Sequence, residues 1–269
     1  MMKVIFQDKQ WKIGVVVLGM LTAFFFVFFA SSESMARLVA FRLNLASLAL
    51  ALHPQASFAT EMGNHYFNSE RGGVYDLQEA KYYYSKSLEF DPQESLAWYQ
   101  LSRIDFLNGD FPGALEKANR QIELHGDNPQ SIYYLRALIY GYWGKYEEAE
   151  ADFLKFLEWK PNSWAAHNDL AWVYFQQGKY EEAELIARKG LTANPGNAWL
   201  LNILGVSLLN QKELPEARKA LAAAAEAAAA LTPADWQRAY PGNDPKLAAG
   251  ALSKMRDTIA LNISLAVNK

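Results

Sequence analysis

From Ile13 to Ala30 the chain reads IGVVVLGMLTAFFFVFFA, a stretch without a charge. As a helix it would extend about 27 Å, close to the ~30 Å hydrocarbon core of a bilayer. The pattern predicts one transmembrane helix over 13–30, with Trp11 beside Lys12 as an interfacial collar. A secretory signal peptide is the rival reading. It shares the basic start, here Lys3, Lys9 and Lys12, but has a shorter apolar core, and small-residue cleavage candidates occur only around Ala30 to Ser32 and Ser34 to Ala36. Three lysines against Asp8 place residues 1–12 in the cytoplasm by the positive-inside bias, and everything after residue 30 outside it. The alternative is secretion after cleavage. The next apolar run, Ser34 to Leu52, is interrupted by Arg37, Arg42 and Asn44. Central arginines are costly in lipid, so residues 31–55 predict a linker and a helix that leaves the membrane and packs on the segment beginning at residue 56.

From residue 56 the pattern becomes a repeat. GKYEEAE stands at Gly144 to Glu150 and again at Gly178 to Glu184, an offset of 34 residues. Ala149 and Ala183 fall on equivalent positions, and the two copies close on proline at WKP (Pro161) and ANP (Pro195). The frame extends outward through Ala80 with Pro92, Ala114 with Pro129, and Ala217, while Gly63, Ala137, Ala171 and Gly205 supply an early small residue. Small residues at two stations let antiparallel helices approach closely, where a larger side chain would force the backbones apart. Gly109, Gly144 and Gly178 fit the turn between helices, where positive φ is needed. Each proline then ends its unit. A single pair cannot bury its apolar face alone, so the pairs must stack.

These features resemble the tetratricopeptide repeat (TPR), a helix-turn-helix unit with an early small residue, a mid-repeat alanine and a closing proline. The resemblance implies an all-α TPR-type solenoid over 56–231. Five copies fit: Ala56 to Asp91, Ser95 to Asn128, Gln130 to Pro161, Trp164 to Pro195, and Ala198 to Leu231. Three depart from the pattern. The first inserts NSERGGVYD before helix resumes at Leu77. The second puts Ser102 and Asp105 where a small residue and a tyrosine belong. The fifth lacks the proline and runs on as KALAAAAEAAAAL, which predicts a longer second helix. Within 232–269, TPADWQRAYPGNDP reads as a short helix and loop, and Asp244-Pro245 opens a helix to about Val267 that caps the last repeat.

Composition narrows the function. The 26 basic and 29 acidic residues leave a formal charge of -3, which gives no general attraction to phosphate backbones, so no nucleic-acid partner is expected. Absence of cysteine excludes disulfides, thiolate metal sites and a thiol nucleophile. His53, His65, His125 and His167 are scattered singly, without metal-type pairing. Gly72-Gly73 lacks a phosphate-loop lysine, and no GxSxG elbow occurs. The EEAE clusters read as a solvated face, with Glu184 in reach of Arg188. Asn262-Ile263-Ser264 matches a glycosylation sequon but falls in an apolar helix. No catalytic or metal-binding residue, cofactor or small-molecule substrate is expected, and no enzyme activity.

In TPR proteins the first helix of each repeat lines a concave groove. Mapped by that resemblance, the groove positions are Asn64, Phe67 and Asn68 in copy one, then Tyr99, Arg103 and Phe106 in copy two. Copy three supplies Tyr134, Leu138 and Tyr142, and copy four Asn168, Trp172, Phe175 and Gln176. Copy five adds Trp199, Asn202, Val206 and Asn210. With Arg103 the single charge, a lysine-rich carboxylate clamp is not expected. Amides can bond the main chain of an extended peptide while rings take apolar side chains. The expected peptide-binding set is Asn64, Asn68, Tyr99, Arg103, Tyr134, Tyr142, Asn168, Trp172, Phe175, Asn202 and Asn210, holding an extended, largely uncharged segment of another protein. The competing readings are that rings such as Tyr99, Tyr134 and Trp199 pack between repeats, and that the chain is a structural subunit of an envelope assembly joined through its terminal helices.

Overall fold

The computed structural model describes residues 32–42, 45–67, 74–126, 130–240 and 242–268, together with Val16, Gly19 and Met20. Residues 1–12, nearly all of the expected 13–30 span, the first six residues (68–73) of the first copy's insertion and, among them, the groove candidate Asn68 lie outside the described residues. Among the described residues no helix is long and apolar enough to cross a membrane.

The described fold is an all-helical, TPR-like solenoid. It opens with α1 (Glu33–Arg37), a π-helical turn (Leu38–Arg42) and α2 (Ala46–Leu52). Five pairs follow: α3 (Ala56–Phe67) with α4 (Leu77–Phe90), α5 (Ser95–Leu107) with α6 (Phe111–His125), α7 (Ser131–Tyr142) with α8 (Tyr146–Trp159), α9 (Trp164–Gln176) with α10 (Tyr180–Ala193), and α11 (Ala198–Asn210) with α12 (Leu214–Ala230). A short α13 (Pro233–Ala239), a 3-10 turn (Pro245–Leu247) and α14 (Ala248–Val267) complete the chain. Each second helix packs on its own first helix, and the first four also pack on the first helix of the next pair.

The repeat residues sit where close approach demands them. Ala80, Ala114, Ala149, Ala183 and Ala217 are fully buried, as are Ala137 and Ala171. The second pair's departures are compensated locally. The Ser102 hydroxyl donates to the Ala114 carbonyl (2.7 Å), and buried Asp105 is paired by Lys81 of α4 (2.7 Å) and Lys117 of α6 (2.6 Å). The acid therefore clamps three helices where a tyrosine would have packed between them.

Residues 34–52, expected as one helix, instead form two pieces. The Leu45 amide closes on the Val39 carbonyl (3.1 Å), and the chain turns back. This brings Val39, Ala40, Ala46, Ala49 and Leu50 together against Phe58, Ala59 and Met62 of α3. A single straight helix would have presented only one stripe to that surface, and Arg37 meanwhile reaches Glu61 at 2.9 Å.

The described turns within the second to fifth pairs share one geometry. Gly109, Gly144 and Gly178 have φ of 76°, 81° and 74°, and the amides of Lys145 and Lys179 close back on the Tyr140 and Tyr174 carbonyls, both at 2.9 Å. The fifth turn puts Lys212 there, at φ 66°. A Cβ is strained in that region, so Lys212→Gly is expected to stabilise the protein by about 1 kcal/mol, read as a rise in thermal midpoint.

At the other end α14 lies along α12. Arg256 donates to the carbonyls of Ala228 and Leu231 (3.0 and 2.8 Å), and Arg218 Nε to the Ala266 carbonyl (2.8 Å). Carbonyls at a helix C-terminus lack intrahelical donors, which these arginines supply.

Candidate functional site

The first helices of the pairs line the inner wall of the solenoid, and the wall encloses a cavity of about 790 Å³. From α5 come Tyr99, Arg103 and Phe106, from α7 Tyr134, Leu138 and Tyr142, from α9 Asn168, Asp169 and Trp172, and from α11 Trp199, Asn202 and Ile203. The chain itself supplies a further side. Trp236 of α13 and Tyr240 and Asn243 beyond it line the cavity, and so does Met255 of α14. The segment is held by contacts far apart in sequence: the Tyr75 hydroxyl donates to the Gly242 carbonyl (2.9 Å), and the Trp199 ring meets those of Trp236 and Tyr240 at 6.1 and 6.2 Å. A Cβ on Gly242 would collide with a guanidinium nitrogen of Arg103, so glycine permits that approach. The groove is thus narrowed by the C-terminal segment, which sequence reasoning assigned only to capping.

The expected groove residues divide accordingly. Tyr99, Arg103, Tyr134, Tyr142, Asn168, Trp172 and Asn202 meet at the cavity; Asn64, Phe175 and Asn210 do not line it. Asn64 accepts from the Tyr84 hydroxyl at 2.8 Å, within the first pair. Phe175 packs on Tyr180, with ring centroids 5.3 Å apart, and Asn210 donates to its own helix at Val206 (2.8 Å). Several of the others are engaged internally. Arg103 lies over the Phe67 ring (4.6 Å) and donates to Gln100 (2.9 Å). Asn202 accepts from Asn262 of α14 at 3.1 Å. Tyr134 meets the outer-helix rings of Phe153 and Phe156. Tyr142 remains 60% exposed, stacked on Trp172 with centroids 5.2 Å apart.

Besides the C-terminal segment, the expected set missed several lining residues on the repeat helices, above all the acidic Asp169. Asp169 receives the Tyr134 hydroxyl at 2.5 Å and Asn168 Nδ2 at 3.0 Å. Desolvation pushes its carboxyl up to about 6, against the pull of those two hydrogen bonds. A signal was present: at the 34-residue offset its counterparts in the flanking copies are Leu135 and Ile203, so a charge stands where both neighbours are apolar, although the first two copies carry Glu61 and Gln100 at that station. The neighbouring Tyr134, Tyr142 and Tyr240 hydroxyls are raised, chiefly by desolvation, and stay neutral near pH 7.

The raised carboxyl has a pH consequence. The folded state holds this proton more tightly than the unfolded chain, so the associated stability is complete below the unfolded value near 4 and is lost as pH rises through about 6. Relative to Asp169→Asn, the wild-type protein is expected to lose at most about 3 kcal/mol across that window. Paired urea titrations at several pH values measure it, and a difference that does not vary with pH would rule it out.

Comparison with known proteins supports the fold. A MamA crystal structure aligns with 69% of this chain and 95% of its own at 18% identity and a TM-score of 0.55. A MamA fragment from Desulfovibrio magneticus RS-1 aligns over 64% and 94% at 16% identity and 0.57. YrrB, described as a TPR protein with an unusual peptide-binding site, aligns over 77% and 97% at 16% identity and 0.54. Among curated proteins no sequence matches. Residues 134–198 match the tetratricopeptide repeat family, so this chain carries that repeat in its central pairs and a TPR-like fold around it.

Proposed function

We propose that this chain is a membrane-anchored adaptor that holds an extended segment of a protein partner in its concave groove. The observation that carries the reading is the cavity of about 790 Å³, where aromatic and amide side chains from four successive inner helices converge. Such a surface gives ring faces to apolar side chains and donors and acceptors to a main chain. The likeness in fold to YrrB, a TPR protein with a peptide-binding site, supports it. The uncharged run Ile13 to Ala30 supports the anchor, with the N-terminus cytoplasmic and the repeats on the far side of the membrane.

The test uses the full chain in native membranes. A photoreactive residue at Tyr142, on the cavity wall, is expected to cross-link a discrete partner, whereas one at Leu185, exposed on outer helix α10, should not. Combining Asn168→Ala with Trp172→Ala should abolish the cross-link. Capture that survives this pair of changes counts against the groove. Protease added to sealed vesicles of known orientation tests the topology, since a repeat domain digested from the cytoplasmic face would reverse it.

A specific observation keeps a second reading in play. Leu261, Leu265 and Val267 on α14, and Leu38, Leu45 and Leu48 near the start, are exposed. A structural subunit bound through its terminal helices would cover them. Cross-links from Leu261 alone, with none from Tyr142, would favour that assembly role.

A further inference from the structure

Asp169 is the only acidic side chain among the cavity's described lining residues. Its station is apolar in the two flanking pairs, while the first two pairs carry Glu61 and Gln100 there. The equivalent residues in the flanking pairs, Leu135 and Ile203, are 3% and 7% exposed and pack as core. A carboxylate at that station forgoes apolar burial and incurs desolvation instead. Such a local loss, concentrated in a pocket, is the signature of a binding role.

The immediate surroundings say what would compensate it. Two donors reach the carboxylate, Tyr134 on one oxygen and Asn168 on the other, which leaves a lone-pair site unused on each. No basic side chain is among the groups acting on it. Tyr142 and Tyr240 feel its charge, and in the same cavity Tyr142 stacks on Trp172 while Tyr240 meets Trp199 on the side closed by the C-terminal segment. Ring faces carry negative quadrupole density, so they attract cations. Arg103, the one basic residue among the cavity's described lining residues, is engaged with Phe67, Tyr99 and Gln100. An anionic ligand would meet repulsion at Asp169, and a neutral one would leave the carboxylate desolvated without return.

We propose that this part of the groove receives a cationic side chain, a guanidinium or ammonium group of the bound polypeptide, with Asp169 as its counter-ion and Tyr142, Trp172, Trp199 and Tyr240 as its aromatic wall. The inference rests on the groove reading above and revises the expectation of a largely uncharged segment.

The probes are capped pentapeptides of one sequence with central arginine, lysine, citrulline or norleucine, and free choline as the small-molecule arm. Each is titrated into the full-length protein in detergent, with tryptophan fluorescence as the readout. The arginine or lysine peptide is expected to bind about tenfold more tightly than its neutral counterpart, the loss of one charge-assisted contact. Asp169→Asn should remove that preference and leave the neutral peptides unchanged. Asp169→Leu, which copies the flanking repeats and so keeps the packing, should do the same. Lowering the pH from about 7 to about 5 should weaken the basic peptide about tenfold in wild type only, because the tyrosines facing the carboxylate stay neutral. Equal binding of arginine and citrulline peptides, or a preference that survives both variants, overturns the cation inference while leaving the groove intact. Choline that binds as tightly as the basic peptide assigns the site to a free amine and overturns it too. If no peptide binds and the Tyr142 cross-link is also absent, the groove reading itself falls.

Discussion

Gly205→Val is expected to be among the most damaging single changes in the described array, costing about 3 kcal/mol or more. Gly205 lies in α11, and a Cβ there would stand 2.6 Å from both Cγ and Cδ2 of Leu221 and 3.3 Å from the Leu221 backbone nitrogen. Leu221 is fully buried in α12, so neither its side chain nor its helix can retreat without opening the core it shares with Leu204, Leu208 and Ala217. Against this stands only the helix-propensity gain from removing glycine, at most about 1 kcal/mol. Overpacking therefore wins. The effect should spread, because α14 rests on α12 and each pair is stable only against its neighbours. Urea unfolding followed by circular dichroism measures it. A Gly205→Ala variant as stable as wild type would show that the pair has slack and remove the argument.

Arg136→Ala is expected to cost about 3 to 5 kcal/mol. The guanidinium holds Asp152 of α8 through two bonds, Nε to Oδ2 at 2.6 Å and a terminal nitrogen to Oδ1 at 2.8 Å, and its other terminal nitrogen donates to Asn119 of α6 at 2.9 Å. One side chain on α7 thus joins two outer helices from successive pairs. Asp152 is buried, so truncation strands a largely desolvated carboxylate; the penalty comes from that stranded charge more than from the attraction lost. Replacing both partners by apolar residues, Arg136→Met with Asp152→Leu, should restore most of the stability. A double variant as weak as the single one would mean that the contact with Asn119, or packing, dominates.

The central repeats were legible because their determinants are local. Ala149, Ala183, Gly144 and Gly178 serve contacts within one helix pair or its turn, and such contacts recur with the sequence period. The second pair was harder to read, since Asp105 makes sense only beside Lys81 and Lys117, which arrive from two other helices. The groove was legible as a set of positions and not as a chemistry. Asn168 and Asn202 fall on the cavity wall, yet their amides already meet Asp169 and Asn262. No periodic rule could supply those partners, because the station of Asp169 varies from copy to copy and Asn262 lies beyond the array.

By itself the sequence determined the all-helical architecture, the pairing of helices and the turns between them, because small residues and glycines act within a few tens of residues, where the chain's connectivity already brings helices together. The tertiary structure alone decided what the inner wall offers. Tyr75 meets Gly242, and Trp199 meets Tyr240, only once the solenoid has curved and the C-terminal segment has folded back into it. Closure of that kind depends on the summed curvature of all the pairs, and so does the desolvation that pushes the Asp169 carboxyl up to about 6.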